Sequence, residues 1–95
     1  MTLEEIKNIL TNHKADLSKR YPIKSLAVFG SYSRGDNTVD SDLDILVEFN
    51  DKVGIGFIDL ADELSDLIGF KVDLVSKKGI NSKYYKFIEE DLQYV

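Results

Sequence analysis

Three aspartates stand at the mouth of, or inside, short apolar runs that otherwise read as buried strands. Asp42 and Asp44 flank Leu43 and lead into Ile45-Leu46-Val47, while Asp73 lies between Val72 and Leu74. A carboxylate buried without a partner is expensive, so such an aspartate usually has a partner or a task. Side chains alternate faces along a strand, which puts Asp42 and Asp44 on the same face about 7 Å apart, with Leu43 and Ile45 on the other. If the runs 43–49 and 71–75 are neighbouring strands, Asp73 can lie beside that pair. Three converging carboxylates then suit one or two hard divalent cations such as Mg²⁺, which take oxygen ligands and keep positions open for water and phosphate. Taken singly, the Asp42/Asp44 pair also fits a solvated strand end, and Asp73 fits a salt bridge to Lys71 or a solvent-facing position.

The remaining pattern supplies helices around these strands. Thr2-Leu3-Glu4-Glu5 has capping-box spacing, and Leu3, Ile6, Leu10 and Leu17 follow at roughly helical intervals. A helix over residues 2–19 is expected, ended at Tyr21-Pro22. Residues 25–29 form an apolar strand closed by Gly30, and 31–42 a loop or single helical turn. Leu43 to Phe49 is the second strand. Phe57, Leu60, Ala61, Leu64, Leu67 and Ile68 then keep a helical period, opposite Asp59, Asp62, Glu63 and Asp66, up to a Gly69 cap. Lys71 to Val75 is the third strand, and Ser82 opens a last helix that buries Tyr84, Tyr85, Ile88 and Leu92. The order α-β-(short α)-β-α-β-α predicts an α/β chain, a small sheet covered by helices, over a single domain of residues 1–95.

Composition narrows the chemistry. The chain has no cysteine and one histidine, His13, which removes disulfides, thiolate nucleophiles and the usual Cys- or His-based metal sites. With 17 acidic against 12 basic residues the net charge is −5, a poor match for direct nucleic-acid binding. No apolar run approaches the ~20 residues of a membrane span and no basic-then-apolar leader opens the chain, so a cytoplasmic protein is expected.

Gly30-Ser31-Tyr32-Ser33-Arg34-Gly35 leaves the first strand, with Ser31 eleven residues before Asp42. Backbone N–H groups and the Ser31 hydroxyl can cradle a phosphate there, and Gly30 allows close approach. Arg34 can either support the loop or meet phosphate charge. A helix cap is the plainer use of the same residues.

In order, Gly30-Ser31-x-x-Arg34-Gly35, Ser41-Asp42-Leu43-Asp44-Ile45-Leu46-Val47 and Val72-Asp73-Leu74-Val75 resemble the minimal nucleotidyltransferase family of the DNA polymerase β-like superfamily. The likeness covers nearly the whole chain. One departure is Val39, where many relatives carry proline, a difference of loop rigidity that leaves the acids intact. The resemblance implies the nucleotidyltransferase fold, a small mixed sheet flanked by helices, and transfer of AMP from ATP to a hydroxyl with release of pyrophosphate. It assigns Asp42 and Asp44 to two Mg²⁺ ions, and Asp73 to completing one metal site and deprotonating the acceptor. Gly30 and Ser31 would hold the β- and γ-phosphates, with Arg34 at the same nucleotide site. It further implies an antitoxin that adenylylates a tyrosine of a HEPN-family ribonuclease toxin. Two alternatives stay open: an antitoxin that acts by binding alone, and a small-molecule transferase whose acceptor domain is a separate chain. Homo- or hetero-oligomers are compatible with either.

Other motifs carry less. Asp40-x-Asp42-x-Asp44 starts like a calcium loop, but Ile45 stands where that loop needs glycine. Gly54-x-Gly56 lacks the third glycine of a dinucleotide loop and reads as a turn. Lys71, Lys77, Lys78, Lys83 and Lys86 form either a solvated face or, at Lys77 or Lys78, a contact to triphosphate or an acidic partner. Tyr84, Tyr85 and Tyr94 fit core or edge positions, or a partner surface.

Overall fold

The computed structural model describes residues 1–95. Helix α1 (Leu3–Arg20) leads into strand β1 (Ile23–Phe29), a one-turn helix α2 (Ser31–Arg34) and strand β2 (Leu43–Phe49). Helix α3 (Gly56–Ile68) crosses to strand β3 (Val72–Ser76), and a 3₁₀ turn (Lys77–Gly79) precedes helix α4 (Ser82–Ile88). A second 3₁₀ turn (Glu89–Asp91) then delivers the short strand β4 (Gln93–Tyr94). The sheet has the order β3-β2-β1-β4, with β2 and β3 parallel and the other pairs antiparallel. It is mixed because β1 and β2 meet as antiparallel neighbours, whereas β2 reaches β3 through a helical crossover, the connection that parallel strands require.

Local chemistry explains the boundaries. At α1 the capping box is made in full: Thr2 N–H donates to Glu5 Oε1 (3.0 Å) and Glu5 N–H to Thr2 Oγ1 (3.2 Å). Arg20 at its other end reaches Asp16 and Glu63, and the Tyr21 hydroxyl donates to Glu63 at 2.9 Å, which ties α1 to α3. Gly69, at φ 93°, ends α3 in the left-handed conformation that glycine adopts without a Cβ clash.

Alternation along the strands gives the sheet two unlike faces. On one, Leu26 and Val28 of β1, Leu43, Ile45 and Val47 of β2, and Val72 and Leu74 of β3 pack against Ile6, Leu10 and Leu17 of α1 and Leu60, Leu64 and Ile68 of α3. The other holds a smaller cluster, Phe29, Leu46 and Ile88, with Val75, Ile80, Tyr85 and Leu92 against it. Asp44 is two residues from Leu46, and Asp73 two from Val75, so both acids belong to this second face.

The C-terminal segment departs from the sequence pattern. The last helix ends at Ile88, and Leu92 reaches the small cluster from the stretch after the 3₁₀ turn. Tyr84, expected in the buried face, is 46% exposed. Strand β4, which the pattern does not announce, pairs Tyr94 with Ala27 and Gln93 with Val28, while Val95 N–H donates to Leu26 O at 3.1 Å. Two residues are too few for an alternation signal. The antiparallel edge of β1 supplies the reason for the strand. No helix is long and apolar enough to cross a membrane.

The two sides of α3 should respond very differently to truncation. Leu64→Ala, at a fully buried position, is expected to lower unfolding stability by about 2–5 kcal/mol, and Ile58→Ala on the exposed side by less than about 0.5 kcal/mol. Urea unfolding of the two variants against the parent measures both.

Candidate active site

The site is a row across one end of the sheet. Phe29 of β1 pairs with Asp44 of β2, and Asp44 pairs in register with Asp73 of the parallel β3. Register partners share a face, so the two carboxylates lie side by side on the second face, at the end of it where Gly30 leaves β1. Asp42 stands one residue before β2, and Lys71 Nζ approaches its Oδ2 at 3.7 Å. The lysine that the sequence offered to Asp73 thus sits against Asp42.

Gly30 is the tightest fit in the site. Its φ of 76° and ψ of −152° lie in a region open essentially only to glycine. A Cβ built there would stand 2.2 Å from Asp44 Oδ2. The absence of a side chain is what lets the backbone leaving β1 press against the Asp44 carboxylate.

Four effects raise the Asp44 carboxyl well above its ordinary value of 3.8, up to about 6. Burial is the largest, followed by the charge of Asp73 and that of Asp42, with hydrogen bonding to Asp73 adding and the Arg34 charge opposing. The neighbouring carboxylates thus add to burial in opposing the charged form of Asp44, a condition that a cation at the site would relieve. Oxygen donors in that condition fit Mg²⁺ in chemical type. The full convergence expected from sequence is met in part: Asp44 and Asp73 face each other, yet no three acidic or histidine side chains are drawn together as a ready metal site.

Beyond Gly30, Ser31 opens α2, whose first turn has N–H groups without partners inside the helix. Arg34 takes the loop-supporting course: its Nε donates to Asp36 at 3.1 Å and its Nη1 to Asp91 at 2.9 Å. Ser33 Oγ donates to the Asp91 carbonyl. Asp91 was invisible in the sequence as a site residue, because Glu89-Glu90-Asp91 reads as an ordinary solvated acidic run.

Lys77 and Lys78 lie beyond the opposite end of β3, four and five residues past Asp73, or at least about 13 Å along the strand. Lys77 approaches Glu48 at 3.6 Å and lies over the Tyr85 ring at 5.5 Å. With Glu48, Phe49, Lys52 and Ser76 these lysines line an open groove of about 660 Å³. That groove is separate from the aspartates, so the placement does not favour the triphosphate contact raised for these lysines.

The Asp44 carboxyl also has a consequence for stability. Folding raises its pKa, so the native chain holds more protons than the unfolded chain between about 3.8 and about 6. The associated stability is fully present below 3.8 and is lost as pH rises through about 6. In a chelator, Asp44→Asn should therefore raise the thermal midpoint by a few degrees at pH 7.5, with the gain vanishing near about pH 4. Unfolding followed by circular dichroism at the two pH values reads the difference.

Comparison with known proteins places the fold in a family. The family model described as "Nucleotidyltransferase domain" matches residues 10–95. A protein of Methanocaldococcus jannaschii that carries the name protein adenylyltransferase is 53% identical over 96 residues, covering 99% of this chain and 98% of that protein. Protein adenylyltransferase MntA of Thermococcus cleftensis is 44% identical over 96 residues, covering 100% of this chain and 97% of its own length. Among solved structures, a minimal nucleotidyltransferase superposes with a TM-score of 0.76 at 28% identity, over 98% of this chain and 95% of that one. A toxin–antitoxin structure with AMP-PNP superposes with a TM-score of 0.64 at 29% identity, over 77% of this chain and 61% of the other. The match over almost the whole length, with the Gly-Ser turn and the paired aspartates in one site, makes this chain a nucleotidyltransferase of the minimal type and a member of the nucleotidyltransferase domain family.

Proposed function

We propose that this chain is an antitoxin that transfers AMP from ATP to a tyrosine hydroxyl of a HEPN-family toxin. The observation that carries the reading is the in-register pairing of Asp44 with Asp73 beside Gly30, a set of oxygen donors and close backbone suited to a metal-bound triphosphate. The name of the Thermococcus relative supports protein as the acceptor. The AMP-PNP bound in the toxin–antitoxin neighbour supports an adenine nucleotide as the donor.

In this reading Gly30 and Ser31 hold the β- and γ-phosphates through the first N–H groups of α2 and the Ser31 hydroxyl. Asp42, Asp44 and Asp73 would hold two Mg²⁺ ions, which supply neutralisation of the charge that develops on the attacking and leaving oxygens. Asp73, the more exposed partner in the pair, accepts the proton of the acceptor hydroxyl. The hydroxyl oxygen forms a bond to the α-phosphorus, the bond from that phosphorus to the β-phosphate bridging oxygen breaks, and pyrophosphate leaves with the electron pair. Asp44, pressed by Gly30, is the least exposed of the three acids. The acceptor approaches from outside, so the partner protein supplies the far wall of the cleft.

Incubation with α-labelled ATP, Mg²⁺ and a HEPN protein encoded beside this chain tests the proposal. Label is expected on the partner and absent when Asp42→Asn/Asp44→Asn replaces the parent. A stable complex without label would overturn transfer in favour of neutralisation by binding, and neither label nor complex would favour a small-molecule acceptor. In the same assay Gly30→Ala, which drives a methyl into Asp44 Oδ2, is expected to lose about 100-fold in rate.

A further inference from the structure

Helix α2 is a single turn of four residues, too short to hold its own shape in water. It runs between two glycines at positive φ, Gly30 at 76° and Gly35 at 83°, backbone conformations that side-chain-bearing residues rarely adopt. Its direction must therefore be set by what touches it. On one side Tyr32 is buried and its ring stacks on Phe70 at 5.5 Å. On the other, the C-terminal segment reaches α2 twice through one residue. Ser33 Oγ donates to the Asp91 carbonyl, and Arg34 Nη1 donates to Asp91 Oδ2 at 2.9 Å. Asp91 is held at that spot from behind: Ile88 and Leu92, on either side of it in sequence, pack with Phe29 and Leu46.

We propose that Asp91 is a positioning residue for nucleotide binding, bracing α2 so that Gly30 and Ser31 present a fixed cradle to the phosphates. The inference rests on the nucleotide reading of that loop given above. Asp91 touches neither the cradle nor the paired aspartates in the contacts the structure shows, and acts through Ser33 and Arg34. Its carboxylate is 22% exposed and the Arg34 side chain 44% exposed, so the pair adds little to global stability. A displaced cradle is costly all the same, because phosphate binding depends on where the N–H groups point. The brace also keeps Arg34 engaged with carboxylates at both ends, Asp36 through Nε and Asp91 through Nη1.

The test compares the parent with Asp91→Ala, Asp91→Glu, Arg34→Ala and the double variant Arg34→Ala/Asp91→Ala in transfer from MgATP to the partner. Amide hydrogen exchange of residues 31–36 is followed in parallel on nucleotide-free protein. Asp91→Ala is expected to raise KM for MgATP about tenfold with kcat within about twofold, to speed exchange in α2, and to leave the thermal midpoint nearly unmoved. Asp91→Glu should restore most of the affinity. In the Arg34→Ala background, Asp91→Ala should add less than about twofold, since the contact is already gone. Parent-like KM and exchange in Asp91→Ala would overturn the proposal, as would a full effect in the Arg34→Ala background. If the parent itself neither binds nor transfers nucleotide, the reading of the cradle fails, and unchanged exchange in Asp91→Ala would separately remove the brace.

Discussion

The parallel register of β2 and β3 sets two carboxylates side by side, and much else in the molecule accommodates that pairing. Asp44 and Asp73 face one another because five consecutive residues of each strand pair in step, from Leu43–Val72 to Val47–Ser76. A slip of one residue would turn Asp73 into the apolar face and bring Val72 or Leu74 out of it. Leu43, Ile45, Val47, Val72 and Leu74, all buried against α1 and α3, make that slip prohibitive. The large core thus fixes the geometry of acids that lie on the opposite side of the sheet from it.

Half-burying Asp44 beside Asp73 and Asp42 disfavours its charged form, first through burial and then through the neighbouring carboxylates, and its carboxyl is raised accordingly. Gly30 has no side chain, so the chain can turn against Asp44, and Ile88 of α4 packs on Phe29 and Leu46. The result is an apolar floor beside an uncovered polar end, the arrangement in which charged ligands meet a rigid donor set.

Much of this was legible in the linear chain. The capping box at Thr2, the helical period of α3 and the three apolar runs needed only local rules, because propensity and periodicity act over a few residues. The Asp-x-Asp at 42 and 44 and the aspartate at 73 were readable as a candidate site because carboxylates are out of place in buried strands. The tail was harder. Tyr84 shares a helix with Ile88 but faces water, and Leu92 reaches the small core from beyond the helix end. A seven-residue helix offers too few turns for periodicity to separate the two sides.

Residue order alone determined most of the elements, the sign of the charge, the lack of cysteine, and which acids stand out against apolar runs. Those properties are local, or are sums over composition. Tertiary structure decided that Asp44 meets Asp73, that Lys71 approaches Asp42, that Lys77 lies at the far end of its strand, and that Asp91 joins α2 across 57 positions from Arg34. Contacts of that separation are chosen by strand register and by which face each core buries, quantities that exist only once the sheet has closed around both.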